Sequence, residues 1–360
     1  MNALLILLVG AAVLIAGYVF YGGWLAKEWG VDDSRITPAH EFEDGTDYVP
    51  APPYVVLGHH FSSIAGAGPI NGPIQAAIFG WVPVLLWILI GGIFFGAMHD
   101  FGALFASVRH KGQTVAAVIA QNIDETAKKL FVVFAYLTLI LVVAAFASIV
   151  ANTFVATEAN GYSLANQRTA WISMLFIGVA VIYGLVTRGR NIPGPVSIAA
   201  AIIIIVAIVA LGYNMPNWIP LTLDYTTWMI IVGVYIFIAS IAPVWILLQP
   251  RDYLSSYLLY GMLALAVIGV VVAVFSGDPN ATSSEIPAFT SFNVDASVRG
   301  DSKVAASGFL FPALFITIAC GAISGFHSLV ASGTTSKQLD RESQAKPIAY
   351  GGMLLESFLA

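Results

Sequence analysis

Eight apolar runs of bilayer length decide what this chain can fold into. They are Asn2 to Gly22, Val82 to Ala106, Leu130 to Ala151, Trp171 to Thr187, Val196 to Tyr213, Trp228 to Leu248, Tyr257 to Phe275 and Gly308 to Val330. A soluble core has no use for so many, whereas each bilayer crossing takes about 20 predominantly apolar residues. Composition agrees, with 58% of the 360 residues apolar and 10% charged, against roughly 25% charged in soluble domains. The chain therefore reads as an all-α polytopic protein of the cell inner membrane, with membrane lipids as constant partners. A net charge of −5 without a long basic block argues against nucleic acid and against a polybasic lipid-binding arm. The first run lacks a basic leader and a small-residue cleavage site, so it reads as a retained helix rather than a signal peptide. Cys320 stands alone and reads as a packing residue.

Loop charges set the orientation, because loops rich in Lys and Arg stay cytoplasmic. Arg109, Lys111, Lys128 and Lys129 share one loop; Arg188 and Arg190 lie in another, Arg251 in a third, and Lys337, Arg341 and Lys346 in a fourth. The alternating loops hold only Arg168, Arg299 and Lys303. The first four are therefore cytoplasmic. The stretch Tyr54 to Gly80 either spans or is re-entrant. Spanning is preferred, since it places Gly23 to Pro53, with Lys27 and Arg35, in the cytoplasm and the N-terminus outside. Nine spans result, and Ile348 to Ala360 resembles the opening of a tenth. The chain is expected to be a fragment of a longer protein.

Irregular backbone at membrane depth is tolerated only where protein covers it or it lines a cavity. Two stretches show it. In Gly58 to Pro73, Gly66 and Gly68 permit an unwound turn, and Pro69 suits the first turn of a new half-helix. Free N–H groups at such a start attract anions. Close packing of a Gly-rich helix on a neighbour is the plain alternative. The second stretch is Ile238 to Trp245, where Pro243 interrupts a span. Counting Gly58–Gly80 as segment one, Pro243 falls in segment six. Breaks five segments apart, in oppositely oriented helices, are the pattern of a five-plus-five inverted repeat. The division is 2–22 as an extra leading helix, 54–213 as the first five-helix repeat and 228–360 as an incomplete second repeat, all in one transmembrane domain over 1–360. Segment eight, Phe311 to Val330, is expected as a single helix carrying Ser324, His327 and Ser328.

Several of these runs resemble the carbon starvation protein A family: His59-His60-Phe61, Gly66-Ala67-Gly68-Pro69, Cys320 to His327, Ser332-Gly333-Thr334-Thr335, and Gly352 to Phe358. The resemblance covers essentially the whole chain. It implies uptake of peptides or pyruvate in the carbon starvation response, and a fold of the amino acid–polyamine–cation type. Asn71, His99 and Ser336 depart from the family pattern, where an aliphatic residue, Gln and Pro are usual.

The implied function is secondary active transport, importing a small carboxylate-bearing solute by alternating access as a symport with H+ or Na+. Ser62, Ser63, Gly66, Gly68, Asn71, Gly72 and Ser240 are the candidates for solute binding. The carbonyl near Ala65, with Ser324 and Ser328, would serve a coupling ion, although hydroxyls in spans often only bond across helices. His59, His60, Asp100 and His327 are proton-relay candidates, since ionisable residues in a span are functional by default. Asp100 needs a partner, for which His99, Arg109 or a segment-one histidine qualify. His327 could simply be interfacial, and Glu356 is left unassigned. No cofactor beyond the coupling ion is expected, and the chain does not read as an enzyme. The alternatives are a membrane-embedded solute sensor and a metalloenzyme around His59, His60 and Asp100. The last lacks an established ligand spacing.

Overall fold

The computed structural model describes residues 3–187, 194–242, 247–277, 286–294 and 308–360. Pro243, Arg188, Arg190, Arg299 and Lys303, on which the helix break and the loop charges partly relied, lie outside them. Helix α1 (Ala3–Glu28) leads through a polar loop to α2 (Pro53–Ile64), α3 (Gly68–Ala76) and α4 (Trp81–Arg109). Helices α5 (Val115–Asn122), α6 (Glu125–Phe154) and α7 (Leu164–Thr187) follow. Next come α8 (Gly194–Asn214), α9 (Tyr225–Ile241) and α10 (Leu248–Phe275). A two-residue antiparallel pair, β1 (Asn293–Val294) with β2 (Gly308–Phe309), precedes α11 (Leu310–Thr317). The chain closes with α12 (Ala319–Ile323), α13 (His327–Gly333) and α14 (Gly351–Leu359).

Among the described residues, six helices are long and apolar enough to cross a bilayer by length and composition: α1, α4, α6, α7, the α8 segment and α10. Helix α9 is shorter, at 17 residues. The remaining apolar stretches, 53–79 and 308–333, are broken into short helices. For the second of these the expectation of one helix from Phe311 to Val330 is wrong. Phe311 has extended dihedrals, and Ser324 leaves the helix at φ −54°, ψ 119°. Gly321 and Gly325 flank that break, and glycine weakens a helix interior by about 1 kcal/mol.

Two compact units are present, Met1–Lys128 with Gly261–Ala360, and Lys129–Tyr260. In the second unit α7 and α8 run antiparallel. At one end the Arg168 guanidinium stacks 3.6 Å over the Tyr213 ring. At the other, the Ser197 hydroxyl lies 2.9 Å from those of both Tyr183 and Tyr253. Trp228 is buried edge-on against Phe154 at 5.1 Å. Helix α9 stops at Ile241, and Ala242 is extended, the conformation that a following proline imposes.

In the first unit, α4 is central, and its Ala97, Phe101 and Leu104 are buried with Ile348, Tyr350 and Met353. A π-turn in α1 (Gly17–Tyr21) meets another in α4 (Gly92–Gly96). A Cβ on Gly17 would come 2.7 Å from the Ile93 side chain, so that crossing requires glycine.

One end of this unit is tied by polar contacts among three loops. Val49 and Ala51 donate their N–H groups to the carbonyls of Lys337 and Gln338 at 3.1 and 3.0 Å. Ser343 donates to Asp33 through its N–H and hydroxyl at 2.8 and 2.7 Å. Arg109 pairs with Glu342 and donates to the Gly30 carbonyl at 2.7 Å. Tyr48 reaches the Lys111 carbonyl at 3.2 Å. The loops after α1, after α4 and around Lys337–Lys346 therefore meet at one end of this unit.

Candidate functional site

Helix α2 begins with Pro53 in its first turn and ends at Ile64 in an inverse γ-turn. Ala65 has φ −75°, ψ 76°, and the Gly66 N–H returns to the Ile64 carbonyl at 2.9 Å. The helix restarts as α3 at Gly68, with Pro69 in the first turn. Asn71 makes an early bond of that turn, to the Ala67 carbonyl at 2.9 Å. The first N–H groups of any helix have no acceptor within it. The unwound turn expected at Gly66–Gly68 is thus present.

Gly68 and Gly72 also serve close packing. A Cβ on Gly68 would lie 2.6 Å from the Cβ and Sγ of Cys320, and one on Gly72 would strike the Thr317 carbonyl oxygen. Gly68 faces the Cys320 side chain and Gly72 the Thr317 backbone. Both readings of the Gly-rich stretch therefore hold at once: the helix is broken, and its second half packs tightly.

The break at Ser324–Phe326 places His327 as the first residue of α13, fully buried. Its Nδ1 lies 2.6 Å from Asp100 Oδ2, and its Nε2 lies 3.1 Å from Glu356 Oε2. The first contact is a hydrogen bond. The second is close enough for an ion pair but misaligned, and neither atom has a hydrogen-bond partner among the described residues. Asp100 Oδ1 meets His99 Nδ1 at 3.0 Å. Glu356 Oε1 faces the Cys320 thiol at 3.8 Å. Asp100, His327 and Glu356 are all 0% exposed. A charge at a helix centre costs about 2.5–3.5 kcal/mol on insertion scales, and pairing is what makes it tolerable.

Two expectations need correction. His327 is not interfacial, because the helix break folds it inward onto Asp100. Arg109 does not partner Asp100; it lies nine residues further along α4 and pairs with Glu342 in the loop cluster. His60, by contrast, is buried with its Nδ1 2.9 Å from the Thr335 hydroxyl, and its Nε2 has no hydrogen-bond partner among the described residues.

The other candidates are spread more widely. His59, Ser62, Ser63, Gly66 and Asn71 are half-buried around the broken turn, and Ala65 is buried in it. Ser62 donates back to the His59 carbonyl at 3.2 Å. Ser324 is buried at the second break, and Ser328 donates to the Gly325 carbonyl at 2.9 Å. Ser240 belongs to the second unit, where it is exposed and bonded to the Phe237 carbonyl at 2.7 Å. Sequence reasoning left Glu356 unassigned and gave Thr335 no role. The signal for Glu356 was a single carboxylate inside the apolar stretch Ile348 to Ala360. Among the described residues no three His, Cys, Asp or Glu side chains stand as metal ligands.

The family model for carbon starvation protein CstA matches residues 2–360. The peptide transporter CstA of Escherichia coli K12 is 40% identical over 369 residues, covering 100% of this chain and 49% of that protein. The peptide transporter CstA of Bacillus subtilis 168 is 39% identical, covering 99% and 56%. The pyruvate/proton symporter BtsT of Escherichia coli K12 is 36% identical, covering 100% and 48%. The chain thus spans about half the length of the curated relatives it matches. No solved structure matches it significantly.

Proposed function

The chain belongs to the carbon starvation protein CstA family, and from that premise we propose that it is a secondary transporter importing a small carboxylate-bearing solute. The curated relatives are named for peptides and for pyruvate with a proton. Both solutes carry a carboxylate, which is the chemistry the site is asked to recognise.

The observation that carries the reading is the helix broken at Ala65–Ala67 within an apolar stretch, beside buried ionisable side chains. Broken helices at bilayer depth supply polar backbone where a solute or ion can meet it. The opening turn of α3 offers N–H groups suited to a carboxylate, and Ser62, Ser63 and Asn71 lie around the same turn. Movement would follow alternating access, with H+ or Na+ supplying the drive. The loop cluster then holds one of the two states closed.

Reconstitution in proteoliposomes tests this. Labelled pyruvate and dialanine are followed under imposed proton or sodium gradients. Accumulation above the equilibrium level supports the transporter. Saturable binding without accumulation would reject it in favour of a solute sensor.

A further inference from the structure

Resting on the transporter reading, we propose that Glu356 is the residue that binds and releases the coupling proton, beside a fixed ion pair of His327 and Asp100. The geometry separates two buried carboxylates. Asp100 has an imidazole nitrogen on each oxygen, His99 at 3.0 Å and His327 at 2.6 Å. An ionised carboxylate with both oxygens answered is stable in a buried site. Glu356 has no such support. Among the described residues its Oε2 meets His327 Nε2 off-axis at 3.1 Å, and its Oε1 meets only a thiol at 3.8 Å.

Charge counting leads to the same assignment. No Lys or Arg joins the cluster among the described residues, since the Arg109 guanidinium is engaged by Glu342. With His327 cationic and Asp100 anionic, the pair is neutral. An ionised Glu356 then leaves one uncompensated negative charge in a wholly buried place, and such groups neutralise instead. Proton binding at Glu356 forms one O–H bond on its carboxylate. Release breaks that bond and returns the proton to water on the other side, changing the cluster by one full charge.

The remaining titratable neighbours of α14 are few. Cys320 comes from α12, and His60 from α2, its Cδ2 3.2 Å from a Cβ built on Gly352. Helix α3 has no titratable residue, and Tyr18 of α1 packs on Tyr350 and Gly351 rather than Glu356. A sodium ion would need oxygen ligands where His327 presents a nitrogen to each carboxylate. The site also reaches the broken helix directly. Cys320 packs on Gly68, Ser357 donates to the Gly321 carbonyl at 3.0 Å, and a Cβ on Gly321 would lie 3.5 Å from Pro69 Cα.

The experiment compares wild type with Glu356→Gln, a neutral isostere, in proteoliposomes and in detergent. Pyruvate and dialanine are the probes. In the variant, accumulation driven by a pH gradient is lost, and solute affinity no longer weakens as pH rises. Continued pH-driven accumulation by Glu356→Gln would overturn the assignment. Infrared difference spectra with labelled glutamate give a readout that does not depend on transport. Wild type at neutral pH shows the carbonyl band of a protonated glutamic acid that the variant lacks; a wild type without that band also overturns the assignment. If sodium alone drives uptake, the proton assignment falls and the transporter stands. If wild type moves neither probe, the transporter reading falls, and the infrared band still decides the state of Glu356.

Discussion

The hydroxyl of Tyr350 donates to the carbonyl of Ile93 at 3.1 Å, deep in the first unit, with the Gly17 carbonyl 3.4 Å away. Both acceptors lie in π-turns, where the widened backbone turn exposes carbonyls to an outside donor. One hydroxyl therefore joins the irregular turns of α1 and α4. Tyr350→Phe should lower stability by about 0.6–1.5 kcal/mol, the range for a buried neutral hydrogen bond. Thermal unfolding followed by tryptophan fluorescence reads the loss; an unchanged transition temperature would deny the bond any role.

Asp100 and His327 should behave as a coupled pair. Asp100→Asn leaves His327 buried beside a neutral amide, and breaking a buried pair costs about 3–5 kcal/mol. The double variant Asp100→Leu with His327→Leu should cost less than the sum of its single changes. A double-mutant cycle on unfolding in detergent measures this, and simple additivity would contradict direct pairing.

Glycines in crowded and in open surroundings should respond differently. At Gly68 and Gly72 an alanine methyl meets Cys320 or the Thr317 backbone, so each change should cost about 1–3 kcal/mol by overpacking. Gly10 has nothing within 4 Å of a built Cβ, and Gly10→Ala should be neutral or stabilising by up to about 1 kcal/mol. If thermal scans rank the three variants equally, the close approach of α3 to residues 317–320 is wrong.

The loop cluster around Arg109 and Glu342 should loosen when its ion pair is cut. In Arg109→Ala, amide hydrogen exchange at Val49 and Ala51 should accelerate, because their acceptors lie in the same segment as Glu342. Unchanged exchange would mean that the loop contacts hold without the pair.

Asp44 gives a pH test outside the membrane. Its carboxylate accepts the N–H groups of Thr46, Asp47 and Tyr48 at 2.8, 2.8 and 3.0 Å. These bonds, that of Thr46 foremost, hold its carboxyl below the usual carboxylate range. A depressed folded value means the stabilisation is present above the unfolded value and disappears as pH falls through the folded one. Carboxyl resonances of labelled aspartate should show the loop persisting until below the usual range, with that titration absent in Asp44→Asn.

What the sequence made legible follows from the physics of the bilayer. Apolar length revealed the crossing segments, and Gly66, Gly68 and Pro69 revealed the break after α2, because local backbone chemistry determines both. The run from Phe311 to Val330 carries the same apolar signal as an intact helix. Gly321 and Gly325 weaken it locally, but where it breaks, at Ser324, depends on tertiary packing, which periodicity does not encode. The pairing of Asp100 with His327 was out of reach for a similar reason. Nothing local links residues in different helices, and Arg109, a nearer cation along the chain, was an equally good partner by charge alone. Glu356 stood out as a carboxylate among apolar residues, but its neighbours come from α4, α12 and α13.

The discontinuity of the first unit has a consequence for its biogenesis. Asp100 and His327 stand 227 positions apart, and residues Lys129–Tyr260 are made between the two parts of the unit. With chain growth at about 5–20 residues per second, the carboxylate of α4 emerges on the order of 10–45 s before its imidazole partner exists. During that interval α4 carries a carboxylate whose only neighbour in the finished pair of contacts is the adjacent His99. Nascent α4 must therefore wait in a setting that tolerates a polar group, and Gly261–Ala360 joins it only after Lys129–Tyr260 has been made.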